Sequence, residues 1–226
     1  MNTKLNLAVL LTIVGLSGNA SGALFSYNWT SINATIPDGD VNGYVNSQSV
    51  SDGIQGNDLF LPSPYIANVV GVRIEFSGGW NGDLYAYLRY DSGNGVGFTT
   101  LINRVGTTAS PFNPIGYTTA GMSVTLTDYS GSDIHTVQSP TSGGTYLVDS
   151  TGSSTTFDSF NGLNPVGTWT LFLADLSGNH VSQLNSWGLD LEVVPEPTPW
   201  ALIGFGAAFA CAGVVRSWRN RGRVAR

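Results

Sequence analysis

Asp38, Asp40 and Asn42, followed by Gly43, place oxygen-bearing side chains at alternate positions. That spacing matches the first half of a twelve-residue calcium loop, in which alternate oxygens converge on one ion. The second half departs from it, because Ser49 stands where a bidentate glutamate would close the cage. An Asp/Gly turn is the preferred reading of this segment, with calcium as the alternative. Hydrolysis by a serine nucleophile needs a histidine base, and the chain has only His135 and His180. Both lie in loop-like or strand-edge sequence, SDIHTV and SGNH, and are expected at the surface. Neither a Gly-x-Ser-x-Gly elbow nor a His-Glu-x-x-His motif occurs. Tyr85 and Tyr87 share the strand face opposite Leu84, Ala86 and Leu88. Two such rings form either a carbohydrate-stacking platform or, the preferred reading, an ordinary aromatic pair on a β-surface. The expectation is a protein that is not an enzyme and needs no cofactor, a structural calcium ion being the alternative.

The elements that position these residues read as strands. Val70, Val72, Ile74 and Phe76 alternate with polar or small residues, as in a strand with one buried face. Leu84, Ala86, Leu88 and Tyr90 repeat the pattern after the turn Gly78–Gly82, which predicts a hairpin. Trp169, Leu171 and Leu173 alternate in the same way, as do Trp187, Leu189, Leu191 and Val193. No sustained helical period precedes Pro199, so the expected fold is all-β, a jelly-roll-like two-sheet β-sandwich. The only cysteine is Cys211, near the C-terminus, so core burial and not a disulfide must stabilise the sandwich. From residue 23 to 194 there are three basic and fourteen acidic residues. That charge repels a phosphate backbone and excludes nucleic acid as a partner.

Both ends carry targeting features. Lys4 precedes an apolar run, Leu5 to Leu16, and then small and polar residues, the layout of a secretory signal over residues 1–23. At the other end, Pro195, Glu196, Pro197 and Pro199 form a stiff spacer before sixteen uncharged residues, Trp200 to Val215. At helical rise these cover about 24 Å, a short transmembrane helix. Arg216, Arg219 and Arg221 begin an arginine-rich end that the positive-inside rule holds in the cytoplasm. The segment VPEPTPWALIGFGAAFACAGVVRSWRNR resembles the PEP-CTERM sorting domain of exopolysaccharide-producing Gram-negative bacteria. The resemblance implies processing by an exosortase in the inner membrane, a transient anchor at residues 195–226, and delivery to the cell surface or outside the cell.

Between the ends, three segments in order resemble the P domain (Homo B domain) that follows the catalytic domain in proprotein convertases. They are IPDGDVNGYVNSQSV, VVGVRIEFSGGWNGDLYAYLRY and FNGLNPVGTWTLFLADLSGNHVSQLNSWGLDLEV. Together they span about residues 36–194, with residues 24–35 as a lead-in. The resemblance implies a jelly-roll sandwich. It also implies that Asp83 and Asp175 sit at strand ends near turns, either accepting backbone N–H bonds, the favoured role, or ligating a structural cation. The expected function is a non-catalytic structural or adhesive component of the envelope or extracellular polymer matrix. A lectin-like module for exopolysaccharide, or a free-standing P domain docked on a separate subtilisin-like protease, are the alternatives.

Overall fold

Period-two hydrophobicity becomes eleven strands among the described residues of the computed structural model, which are 22–50, 64–107, 113–129, 131–140, 143–149 and 156–195. Most of the expected signal segment and the sorting tail beyond Pro195, with Glu196, Pro197, Trp200, Arg216, Arg219 and Arg221, lie outside them. Among the described residues no helix is long and apolar enough to cross a membrane.

The strands are β1 (Ala23–Trp29), β2 (Ala34–Thr35), β3 (Asp40–Val50), β4 (Pro64–Gly78), β5 (Leu84–Asp91), β6 (Val96–Asn103), β7 (Met122–Thr127), β8 (Ser132–Asp133), β9 (Gly144–Leu147), β10 (Gly167–Asp175) and β11 (Ser182–Pro195). They form two sheets. One runs in the order β1-β11-β4-β7-β9-β8, with β2 also on β11; the other has four strands in the order β3-β10-β5-β6. The chain is therefore an all-β sandwich. Residues of the lead-in form β1 and β2, both paired antiparallel with β11, and Pro195 pairs with Pro64 at that strand's far end.

The core lies where the alternating faces meet. Trp169, Leu171 and Leu173 of β10, Ala86 and Leu88 of β5, and Trp187, Leu189 and Leu191 of β11 are all buried. Tyr90 stacks on Trp169 with ring centroids 4.3 Å apart, and Phe160 packs against the same indole at 5.2 Å. Buried polar tips are satisfied: Trp169 Nε1 donates to the Pro165 carbonyl, and Tyr90 Oη donates to the Asn164 carbonyl. Trp187 Nε1 of one sheet donates to Asn46 Oδ1 of the other at 2.8 Å, which ties the two layers together.

Two expectations fail in informative ways. The glycine turn at 78–82 does not close a hairpin, because β4 pairs with β11 and β7 while β5 pairs with β10 and β6. Gly78 and Gly79 take φ of +67° and +57°, and the chain crosses from one sheet to the other through a 3-10 turn, Asn81–Asp83. In β4 the buried valines are Val69 and Val72, not Val70. A β-bulge opposite Asp190 and Leu191 adds a residue there and moves the alternation by one position.

Candidate functional site

Outward-pointing residues of the four-stranded sheet form an aromatic ribbon. Because Ala86, Leu88, Leu171 and Leu173 face the core, the strand period turns Tyr85, Tyr87 and Phe172 to the opposite face. Register aligns Val45, Phe172, Tyr87 and Thr100 in one row across β3, β10, β5 and β6. The next row holds Ser47, Thr170, Arg89 and Phe98. Tyr87 and Phe172 are nearly parallel, with centroids 4.6 Å apart and an interplanar angle of 12°. Phe98 lies 5.0 Å from Tyr87, and Tyr85 meets Phe172 edge-on at 6.4 Å. All four rings are part-exposed, and the ribbon ends in Val45 and Val96, each 53 % exposed. Gly43 leaves room for it, since a Cβ there would stand 2.9 Å from the Phe172 ring. Hydroxyl groups of Ser47 and Thr170, 3.2 Å apart, border the rings, and the Arg89–Asp91 ion pair closes one side. Sequence alone singles out Tyr85 and Tyr87 on their shared strand; Phe172 and Phe98 come from other strands and are visible only once the register is known.

Buried oxygens gather at one end of the same sheet. Asp175, the last residue of β10, is the register partner of Asp40 on β3 and of Leu84 on β5, which places it beside Asp83. Asp83 and Asp175 are fully buried. Burial holds the Asp175 carboxyl above the usual carboxylate range; hydrogen bonds from the Ser182 hydroxyl and the Ser177 backbone oppose that shift, and the Asp83 and Asp38 charges add to it. None of the three ion pairs among the described residues includes either aspartate.

Of the Asp38–Gly43 segment only Asp38 and Gly39 are a turn; Asp40–Gly43 open β3, where the register with β10 shifts between Leu173 and Asp175. Asp38 Oδ2 accepts the Asn179 N–H, and Asp40 Oδ1 accepts both the N–H and the side-chain amide of Asn42. Asp40 and Asn42 satisfy one another locally, as in an Asx-turn. Among the described residues no three His, Cys, Asp or Glu side chains converge as a metal cluster.

His135 is buried in a 3-10 turn, 5 % exposed, and not at the surface. Its Nε2 faces Asp149 Oδ2 at 2.7 Å and its Nδ1 accepts the Gly106 N–H at 2.9 Å. The ring proton therefore sits on Nε2 and is donated to Asp149. In a catalytic triad the second nitrogen faces a nucleophile; here a backbone amide fills that place, and the pair clamps loops together. His180 stacks on Trp80 with centroids 3.6 Å apart.

No protein-family model and no curated protein matches the chain. Among solved structures, four chains match. One belongs to the crystal structure of the Aeromonas sobria serine protease (ASP) and chaperone (ORF2) complex, at 13 % identity and a TM-score of 0.41. That match covers 77 % of this chain and 27 % of the other, so this chain spans about a quarter of its length.

Proposed function

We propose that this protein is an exported, non-catalytic β-sandwich that serves as a structural or adhesive component of the bacterial envelope or extracellular polymer matrix. The observation that carries the adhesive role is the aromatic ribbon Tyr85, Phe172, Tyr87 and Phe98 on the outer face of the four-stranded sheet. A solvent-facing apolar patch rimmed by polar groups marks an interaction surface. Flat rings beside uncharged hydroxyls suit a sugar chain, whose C–H faces stack on aromatics while its hydroxyls meet Ser47 and Thr170. The acidic surface disfavours a polyanion, so the occupant is a neutral polysaccharide. This favours the lectin-like form of the role over docking on a protease.

Export rests on the two ends of the sequence, the signal-like residues 1–23 and the tail that resembles a PEP-CTERM domain. Mass spectrometry of the mature protein from an exosortase-bearing host is expected to find Trp200–Arg226 removed, and their retention contradicts the sorting account. For the adhesive role, the full chain is tested by affinity electrophoresis in gels containing neutral bacterial exopolysaccharide. The wild type is retarded, and Tyr87→Ala with Phe172→Ala weakens binding by about tenfold or more. Equal mobility with and without polysaccharide, or recovery of a subtilisin-like protease as the bound partner, overturns the lectin-like reading.

A further inference from the structure

Eleven residues long, β3 is an edge strand of the four-stranded sheet, with β10 on one side and no strand of the described residues on the other. From Tyr44 to Val50 its register with β10 is unbroken. Among the described residues, no backbone N–H or C=O of Tyr44–Val50 bonds to anything besides β10, which leaves alternate groups unmet along the outer side of the strand. The opposite edge of the sheet is covered. Ser159 Oγ accepts the Phe98 N–H and donates to the Phe98 carbonyl, Asp149 Oδ2 accepts the Asn103 N–H, and the Asp149 N–H donates to the Leu101 carbonyl, so loop residues line β6.

Proteins that keep an open edge from pairing place lysine, proline or an inward-pointing charge on it. The stretch Val41–Val50 has none of these and no charged residue at all, although residues 23–194 hold fourteen acids against three bases. Its outward-facing neighbours on β10, Thr168, Thr170 and Phe172, are uncharged too. By contrast β1, an edge of the larger sheet, lies beside Glu192 and Asp190. In a chain this acidic, two copies repel one another except where neutral surface meets neutral surface. The outer side of β3 is such a surface.

We infer that two copies of this chain pair antiparallel through β3, about a two-fold axis at Ser47, the middle of the regular stretch, and so join their four-stranded sheets into one. Ser47 then faces its own copy, while Val45 meets Ser49, Asn46 meets Gln48 and Tyr44 meets Val50 across the axis, with no like charges opposed. A contact of this kind is self-complementary and closes on itself, which gives a dimer and not a fibre. The aromatic ribbon ends in Val45 on the same strand, so the pairing sets two ribbons on one continuous outer face. A sugar chain that crosses both is held by avidity, because the second ribbon binds at a high effective concentration. That consequence rests on the polysaccharide reading given above; the pairing itself does not.

Sedimentation equilibrium of the full chain in mild detergent, with no polysaccharide present, tests the pairing apart from the lectin-like reading. An edge-to-edge contact is small, so a dimer with a dissociation constant on the order of 10 μM is expected. Ser47→Lys, which sets two ammonium groups face to face at an exposed position, raises that constant about tenfold or more with Tm unchanged. Register is read by cross-linking in a Cys211→Ser background. Ser47→Cys is expected to form a two-chain disulfide, because directly opposed Cα atoms lie about 5 Å apart; Ser49→Cys is not, because its own copy lies about four residues along the ladder. A monomer at every concentration up to about 100 μM, or a dimer that Ser47→Lys leaves intact, overturns the pairing. Equal cross-linking at both positions overturns it as well. A β3-dependent dimer that fails to bind polysaccharide upholds the pairing and contradicts the ribbon's role.

Discussion

Burial decides the role of the polar side chains, and His135 shows how. Its hydrogen bond to Asp149 holds the imidazole above the ordinary histidine range; burial opposes this, and the charges of Asp149 and Asp133 add to it. A folded pKa above the unfolded value of about 6.5 means that the ionic contribution is complete below that pH and is lost as pH rises through the folded pKa. Asp149→Asn should therefore destabilise the protein more near pH 5.5 than near pH 9, by on the order of 1 kcal/mol in denaturant titrations. Equal losses at both pH values would show that the imidazolium does not form. The second proton must enter at Nδ1, where the Gly106 N–H now donates. Hydrogen exchange at Gly106 is accordingly expected to quicken as pH falls through the same transition. Nothing in SDIHTV announces any of this, since Gly106 and Asp149 lie 29 and 14 residues away in the chain.

Strand periodicity is the part of the fold most legible in the sequence. Trp169, Leu171 and Leu173, and again Trp187 to Val193, line the core as their alternation predicts. Two things are not legible. A glycine-rich turn has the same composition whether the next strand pairs with its predecessor or joins the other sheet, so Gly78–Gly82 reads as a hairpin when it is a crossover. A bulge leaves no local signature either, and Val70 looks interior until the ladder with β11 is seen. The bulge makes a sharp prediction, because Val→Thr keeps shape while burying a hydroxyl. Val69→Thr should lower stability by about 1–3 kcal/mol, and Val70→Thr by about 0.5 kcal/mol or less, in urea unfolding. Reversal of that order would place Val70 in the core.

At the scale of the whole molecule, the two sheets have different tasks. The larger one packs its buried strands β11 and β4 against the core, and the smaller one leaves an open aromatic face bordered by hydroxyls. Sequence points to half of that face through Tyr85 and Tyr87; Phe172 and Phe98 join it by pairing across strands. The acidic character of residues 23–194 is legible directly, and it disfavours polyanionic partners. The aromatic ribbon as the surface that meets polysaccharide is the claim on which the functional account turns. NMR of the isotope-labelled full chain, titrated with neutral exopolysaccharide, tests it most directly. Shifts concentrated at Tyr85, Tyr87, Phe98, Thr170 and Phe172 are the expected result; shifts confined to the larger sheet, or none at saturating polymer, would contradict it.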